Sequence, residues 1–254
     1  MKVYDIVLEA GRLLKSRFEE APKFREKERF ELVSDTDREI EDFLVQELQA
    51  SFGDVRIYSE EAGVLGEDST SRWIVDPIDG TANFVAGVPY FAISLAREVE
   101  GRIVEAYVHN PVSGEFYTAT ADAGESCLGG VPIRVSSCTA IEHALVAFGF
   151  SANRVNIDRY YSEWKDVFDR CRKGLPLIVP SLTLCNVARG RLDAFIDFGC
   201  SMEGQAAASL ILQNAGGTIL NYDLSSYDHR SKGAVACGPD LMAHLIEAKK
   251  RENY

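Results

Sequence analysis

The spacing of apolar residues changes twice along this 254-residue chain, and these changes constrain the fold more than any other feature of the sequence. Apolar side chains recur at helical spacing in residues 3–18 and 40–48, which predicts two amphipathic helices. Short apolar runs separated by turn residues occupy residues 73–119, as expected for a meander of antiparallel strands. Strand-like and helix-like runs alternate from residue 145 onwards. This order predicts an α+β fold of layered helices and sheets.

Breaker residues set the predicted boundaries of several elements. Residues 21–29 are charged and contain a proline, so we expect a solvated connection between the first two helices. The strand at residues 73–76 is predicted to stop at Pro77, because proline cannot extend a ladder of hydrogen bonds. A further strand is expected at residues 177–179.

Charge and cysteine content narrow the function classes. The chain has 39 acidic and 27 basic residues and a net charge of −12, so its surface repels nucleic acid and anionic membranes. A small phosphorylated substrate remains possible, because a bound dication reverses the local field. Six dispersed cysteines with no Cys-x-x-Cys pair favour free thiols in a reducing compartment. With no apolar signal core and no run of membrane-spanning length, the protein is expected to be soluble and cytoplasmic.

Residues 73–84, WIVDPIDGTANF, carry the most chemical information. A buried strand ends at Asp76 and Asp79 follows three residues later, so both carboxylates can face one point. Gly80 allows close backbone approach, and Thr81 can begin a helix with exposed N–H donors. Two carboxylates beside such donors suit a divalent cation and a phosphate. For an isolated Asp-x-x-Asp pair, the ordinary interpretation as turn and cap residues would be preferred.

The whole string resembles the signature of the inositol monophosphatase and fructose-1,6-bisphosphatase superfamily, Asp-Pro-Ile/Leu-Asp-Gly-Thr-x-Asn-Phe, at every fixed position. Residues 190–195, 206–217 and 232–239 are also typical of this family, so the resemblance covers nearly the whole chain. It implies a layered α-β-α-β-α sandwich and a magnesium-dependent, lithium-sensitive phosphatase that forms a homodimer. Residues 1–254 would form one domain, with an N-terminal α+β half at about 1–140 and a C-terminal α/β half at about 141–254.

The resemblance also assigns roles to individual residues. Glu60, the first of a Glu-Glu pair after a short strand, takes the place of a metal ligand that helps position the attacking water. Asp37 takes the place of the aspartate that pairs with Thr81. Judged without the resemblance, the Glu pair would be a solvated face, and Asp37 is equally well a cap of the following helix. The implied metal ligands are Glu60, Asp76, the Ile78 carbonyl and Asp79, and the implied substrate contacts are Asp79, Gly80, Thr81 and Asp197.

Two segments depart from the family pattern. The family has Trp-Asp at the start of its small-residue helix, where the aspartate ligates a second magnesium; Glu203 and Gly204 stand there in this chain. Either Glu203 replaces the ligand after a local shift, or Asp76, Asp79, water and substrate alone hold the second metal, or the protein is a poor catalyst. We favour the first two together, because every other acidic element is present. Residues 178–181 are bulkier than in many relatives, which puts the substrate in doubt.

The expected reaction is hydrolysis of a phosphate monoester of a small sugar or polyol, of the inositol monophosphate or fructose bisphosphate type. Two or three Mg²⁺ ions per subunit are expected. Thr81, assisted by Asp37, would orient or deprotonate the attacking water. Asp197 is the best candidate for contact with a sugar hydroxyl, or is an ordinary strand-end aspartate. Candidates for holding a second phosphate, or else surface charges, are Arg154, Arg189, Arg191 and Lys232.

Two alternatives stay open. A nucleotide 3′- or 2′-phosphatase would need a platform for adenine, which Tyr160, Tyr161 and Trp164 could supply, although their helical spacing is more often that of core residues. A non-catalytic homologue that binds phosphorylated metabolites or a partner protein is supported only by Gly204.

Overall fold

Two helices form the first layer of the fold. The computed structural model describes residues 2–20, 24–28, 31–67, 69–149 and 154–251. Helix α1 (Val3–Glu19) and helix α2 (Asp35–Phe52) are joined through a hairpin of β1 (Phe24–Glu28) and β2 (Glu31–Ser34). One face of α1 is buried, and its residues recur at three- and four-residue spacing: Val3, Ile6, Val7, Ala10 and Leu14. The two helices predicted from apolar spacing are therefore present.

An eight-stranded sheet forms the second layer, in the order β10-β9-β8-β7-β6-β5-β3-β4. Its strands are β3 (Arg56–Ser59), β4 (Gly63–Leu65), β5 (Ser71–Asp79), β6 (Ala92–Val99), β7 (Arg102–Asn110), β8 (Glu115–Thr120), β9 (Glu125–Leu128) and β10 (Val131–Pro132). Its neighbouring strands are antiparallel except for the parallel pair β3 and β5. Helix α3 (Thr81–Val85) connects β5 to β6. Glu100 and Gly101 both have positive φ in the β6–β7 turn, which matches the twist of a tight hairpin.

The second half alternates strands and helices, as predicted. After a 3₁₀ turn (Ile141–His143) come β11 (Leu145–Gly149), α4 (Arg154–Arg170), β12 (Lys173–Pro176), α5 (Pro180–Ala188), β13 (Ala194–Asp197), α6 (Met202–Asn214), β14 (Thr218–Asn221), β15 (Ala234–Cys237) and α7 (Pro239–Arg251). The five strands form one sheet in the order β12-β11-β13-β15-β14. The first three of these are parallel, and β15 runs antiparallel to both neighbours.

Three apolar clusters join these elements into layers. One lies between α1, α2 and the eight-stranded sheet. The second surrounds α5 and α6, which lie between the two sheets, and the third joins the five-stranded sheet to α4 and α7. The predicted α-β-α-β-α sandwich is therefore confirmed. Within the described part of the chain, no helix combines the length and the apolarity needed to cross a lipid bilayer.

Three boundary predictions were wrong. Strand β5 runs on through Pro77 to Asp79, because a register irregularity between Asp76 and Asp79 accommodates the residue that cannot donate. Residues 24–28, predicted as part of a solvated connection, form β1, and the rest of that connection lies outside the described residues. The strand expected at 177–179 ends earlier, at Pro176, and residues 177–179 lead into α5.

Candidate active site

Glu60 and Asp76 meet because two neighbouring strands run in the same direction. Strands β3 and β5 are parallel, and Ser59 is paired with Val75. Glu60 directly follows β3, and Asp76 is the residue after Val75 in β5, so both carboxylates lie at the carboxyl ends of these neighbouring strands of the eight-stranded sheet. Parallel pairing thus joins two acidic residues that are sixteen positions apart.

Asp79 is fixed by the irregular end of β5. After the register shift it is paired with Ala92 of β6, and a shift of this kind re-aims side chains at the end of a strand. Asp79 Oδ2 accepts a 2.7 Å hydrogen bond from the backbone N–H of Ser181, in the first turn of α5. This bond ties the central helical layer to the sheet at the site.

Gly80 is required both by its backbone conformation and by space. Its φ is +96°, in the region that glycine adopts without strain. A Cβ at this position would lie 2.7 Å from Val179 Cγ2 and 3.3 Å from the Tyr90 carbonyl oxygen. The chain can therefore pass closely under α5 and enter α3 at Thr81. The N–H groups in the first turn of a helix have no partner within that helix, so they are available to a ligand.

The Thr81 hydroxyl lies between two acceptors. Its Oγ1 atom is 3.0 Å from Asp37 Oδ1 and 3.0 Å from the Ile78 carbonyl oxygen. One hydroxyl proton serves one acceptor at a time, while the lone pairs of Oγ1 stay available to another donor. Asp37 is buried at the start of α2, so the predicted pairing of Asp37 with Thr81 is present in the structure.

Glu60, Asp76, Asp79, Gly80 and Thr81 line a cleft of about 300 Å³, a size suited to a small ligand. The lining residues are Glu60, Asp76, Ile78, Asp79, Gly80, Thr81, Ala82, Ile178, Pro180, Asp197, Gly199, Cys200 and Ser201. Seven of the predicted site residues are among them. Asp37 and Glu203 do not line the cleft, and Asp37 acts on it through Thr81.

Among Glu60, Asp76 and Asp79, Asp76 is the most deeply buried, with 3% of its surface exposed. Burial raises its pKa well above the usual value, and the negative charges of Glu60 and Asp79 raise it further. Its Oδ1 atom is buried and has no hydrogen-bond partner in the described part of the chain. Burying a carboxylate oxygen without a hydrogen-bond donor carries a free-energy penalty, and a cation bound to this atom would offset it.

Glu60 and Asp79 respond to the same crowding of charge. Desolvation, followed by the charges of Glu61 and Glu203, raises the pKa of Glu60 to about 7. Burial raises the pKa of Asp79 to about 7, although its hydrogen bonding with Ser181 acts in the opposite direction. No Lys, Arg or His side chain belongs to the lining of the cleft as the described residues define it. The carboxylates thus concentrate negative charge without a basic partner on the cleft walls.

The donor set fits a hard divalent cation. Carboxylate and carbonyl oxygens are the ligands that Mg²⁺ prefers, and here they are Glu60, Asp76, Asp79 and the Ile78 carbonyl. Across residues 2–251, the described positions contain no ready-made metal arrangement of three or more His, Cys, Asp or Glu side chains. A Mg²⁺ ion at this cluster would therefore draw its remaining ligands from the Ile78 carbonyl, water and substrate, as Mg²⁺ commonly does.

Glu203 is buried in the first turn of α6, next to the acidic group. The charge of Glu203 is the largest cause that raises the pKa of Tyr58, followed by burial and by a hydrogen bond between the two side chains. Its carboxylate thus has a partner outside the cleft. Gly204 is the residue that faces the cluster, because a Cβ there would lie 3.6 Å from Asp79 Oδ1.

Asp197 lines the cleft but organises its own loop. Its Oδ1 atom accepts 2.6 Å hydrogen bonds from the N–H groups of Gly199 and Cys200. Its Oδ2 atom lies against Gly149, where a Cβ would come within 1.8 Å of it. Burial raises the pKa of this carboxyl group. The loop that follows β13, which forms one wall of the cleft, is held by this side chain.

The arginines considered for a second phosphate are engaged elsewhere. Arg189 contacts Glu115 and donates a 3.1 Å hydrogen bond to Tyr117 Oη, and Arg191 forms an ion pair of 2.8 Å with Glu115. Both lie just beyond the C-terminal end of α5, whereas the cleft is at its N-terminal end. Lys232 is exposed and does not line the cleft, and the Arg154 side chain is outside the described part of the structure.

The aromatic residues considered as an adenine platform lie in the outer layer. Trp164 is fully buried on α4 in the cluster behind the five-stranded sheet. Tyr161 stacks on Phe168 of the same helix, with ring centroids 4.7 Å apart. The Tyr160 side chain is outside the described part. The described rings of this group therefore serve packing and contribute nothing to the cleft.

A layered α/β fold with an acidic cluster at the carboxyl ends of β3 and β5 defines a protein whose cleft suits a divalent cation and a phosphate. The model of the inositol monophosphatase family matches residues 2–254, and the chain belongs to this family. The chain is 35% identical over 219 residues to the Nus factor SuhB of Pseudomonas aeruginosa, with 84% of this chain and 80% of that protein covered. It is 32% identical over 249 residues to the inositol-1-monophosphatase of Mesorhizobium japonicum, with 96% and 93% covered. Among solved structures, the extragenic suppressor protein SuhB of Bartonella henselae superposes with a TM-score of 0.92 at 29% identity, with 98% and 96% of the two chains covered.

Proposed function

We propose that this protein hydrolyses a phosphate monoester of a small sugar or polyol in the presence of Mg²⁺, at the cluster of Glu60, Asp76 and Asp79. Family membership supports a phosphatase. The observation that carries the proposal is the buried, unbonded Oδ1 atom of Asp76, set among carboxylates that repel one another. Such a cluster is stabilised by a dication, and family members use Mg²⁺.

The metal would supply two effects when bound, a lowered pKa for water and neutralisation of phosphate charge. Thr81 would accept a hydrogen bond from the attacking water at Oγ1 while its own proton points to Asp37 Oδ1. Asp37 thus fixes the direction of the Thr81 hydroxyl. The N–H groups of Gly80 and Thr81 would bind the phosphate oxygens, and the bend at Gly80 allows the ester to approach the backbone.

The walls of the cleft favour a substrate with one phosphate. Because the described lining holds no basic side chain, a second phosphate on the substrate would gain no ion pair there. One wall is apolar, and Ile178 in it is 57% exposed. This wall suits the C–H face of a sugar ring or a cyclitol. We therefore infer a monophosphate ester, in preference to fructose 1,6-bisphosphate.

Several further properties belong to the same proposal. We propose that residues 1–254 act as one domain, which is supported by helices α5 and α6, since they pack against both sheets. A homodimer, a cytoplasmic location and two or three Mg²⁺ ions per subunit complete the proposed description. The net charge of −12 argues against direct contact with nucleic acid or an anionic membrane.

A binding role without turnover is the second candidate. It is supported by Gly204, which leaves the position facing Asp79 without a carboxylate, and by relatives that carry the name Nus factor SuhB. Turnover above a metal-free control would exclude this candidate.

Phosphate release from a panel of esters tests the proposal. The panel contains inositol 1-phosphate, fructose 1,6-bisphosphate and adenosine 3′,5′-bisphosphate, each with Mg²⁺ or with EDTA. We expect Mg²⁺-dependent release that is fastest for inositol 1-phosphate, and we expect D76N to abolish it. D76N should remain folded and melt no lower than the wild type without metal, because it removes one of the repelling carboxylates. Near-normal turnover by D76N would remove the mechanism.

A further inference from the structure

Glu41 holds the turn that carries Glu60. One of its oxygen atoms, Oε1, accepts hydrogen bonds from the backbone N–H groups of Glu61 and Ala62, each 3.1 Å long. The same atom accepts a third hydrogen bond from the Ser59 hydroxyl. The carboxylate of Glu41 therefore contacts the residues on both sides of Glu60 in the sequence.

Burying the carboxylate of Glu41 carries a free-energy penalty. Glu41 is 4% exposed, and a buried carboxylate is tolerated only where donors compensate for the loss of water. Here the compensating donors come from a single turn of chain, residues 59–62. Because the buried carboxylate requires these donors, its hydrogen bonds hold the turn in the position where the donors reach Oε1.

Helix α2 connects this contact to a second one at the same site. Asp37 and Glu41 are four residues apart, so they lie on the same face of the helix. Asp37 binds the Thr81 hydroxyl, which follows β5, and Glu41 binds the turn that follows β3. One helix therefore holds two segments of the cleft that come from different strands.

We propose that Glu41 is a positioning residue that fixes Glu60 relative to Asp76 and Thr81. Through Asp37 and Glu41, helix α2 thus holds two segments of the metal cluster in position. The inference rests on the proposed function, because Glu60 matters in this way only as a metal ligand. Glu41 itself does not line the cleft and touches no reacting atom. Loss of its contacts should weaken metal binding and lower kcat, with little effect on the KM for the ester.

The experiment compares E41A, which removes the acceptor, with E41Q, whose amide oxygen keeps it. D42A serves as the matched control, since Asp42 is the next acidic residue on the same helix and is exposed. The readouts are Mg²⁺ affinity by calorimetry, kcat and KM for the best ester, and the melting temperature without metal. We expect E41A to lose roughly tenfold to 100-fold in Mg²⁺ affinity, the usual effect of removing a partner that orients a ligand. E41Q should recover most of that loss, and D42A should behave as the wild type.

If E41A fails to fold, S59A probes the same contact from the donor side, and a smaller loss of Mg²⁺ affinity is expected. Wild-type Mg²⁺ affinity in E41A, or in S59A where E41A is unfolded, would overturn the inference. Equal losses in E41A and E41Q would also overturn it, because they would point to the charge of Glu41 and away from its role as an acceptor. A wild-type protein that binds no Mg²⁺ and releases no phosphate would instead refute the proposed function.

Discussion

Replacing Gly204 by aspartate adds a carboxylate directly beside Asp79. A Cβ at this position would lie 3.6 Å from Asp79 Oδ1, 3.6 Å from Ser201 Oγ and 3.7 Å from Pro180 Cβ. All three are ordinary van der Waals distances, so a Cβ atom fits here without displacing its neighbours. G204N has nearly the same shape and no charge, and it is therefore the matched control.

The expected change in stability of G204D follows from the position of Gly204 in α6. The residue is the third of the helix, after the cap Ser201, so an aspartate there gains about 0.3–1 kcal/mol from the helix dipole. Without metal, at a pH above 7 where Asp79 is ionised, a second carboxylate roughly 4 Å from that of Asp79 is repelled by about 1–4 kcal/mol, depending on the local dielectric constant. Repulsion exceeds the gain, so G204D should melt below G204N in EDTA. A divalent cation bound between the two carboxylates would turn this net repulsion into a net attraction.

The assay is the Mg²⁺ titration of the wild type, G204D and G204N by calorimetry, with melting temperatures measured in EDTA and in saturating Mg²⁺. We expect G204D to bind Mg²⁺ at least tenfold more tightly than G204N, which corresponds to about 1.4 kcal/mol. The stabilisation by Mg²⁺ should be correspondingly larger in G204D. Indistinguishable titrations of G204D and G204N would refute the assignment of the cluster as a metal site.

Substitutions of Gly80, Thr81 and Glu98 give further testable outcomes. G80A should lose activity and more than about 1 kcal/mol of unfolding free energy in urea melts, because alanine does not fit a φ of +96° beside Val179; unchanged stability would contradict this. T81A should lower kcat by roughly 10²–10⁴-fold, while T81S retains activity; equal loss in both would contradict a role for the hydroxyl. The pKa of Glu98 is lowered, since hydrogen bonds from Arg72 and His229 outweigh its burial. E98Q should thus cost about 1–3 kcal/mol at pH 7, and the difference from the wild type should shrink as pH falls below about 4.5, the usual glutamate value; a difference independent of pH would contradict it.

Much of the architecture could be predicted because it depends on local spacing. Apolar residues at helical intervals identified α1 and α2, and the short apolar runs separated by turn residues in residues 73–119 identified the antiparallel strands. The meeting of Asp76 and Asp79 was also local, since three residues separate them. The elements that could be predicted are therefore those whose formation depends on residues close together in the sequence.

Features that depend on distant contacts escaped prediction. The charged strand β1 is a strand because it pairs with β2, and its composition gives no apolar signal. Pro77 predicts the end of a strand, but the irregular pairing with β6 lets β5 continue. Glu41 was missed altogether, because it lies on α2 and its partners lie at the end of β3 and in the turn that follows. One signal was present: Asp37 and Glu41 share a helix face with Leu44 and Leu48, and buried acids on an apolar face require partners.

Soaking crystals in Mn²⁺ and recording anomalous diffraction tests the central claim most directly, because Mn²⁺ takes the same oxygen ligands as Mg²⁺ and is detected by its own signal. The account predicts a strong peak among the carboxylate oxygens of Glu60, Asp76 and Asp79, with Asp76 Oδ1 in contact with the ion. No peak at saturating Mn²⁺, or a peak elsewhere with Asp76 Oδ1 still without a partner, would contradict the claim that these carboxylates share a divalent cation.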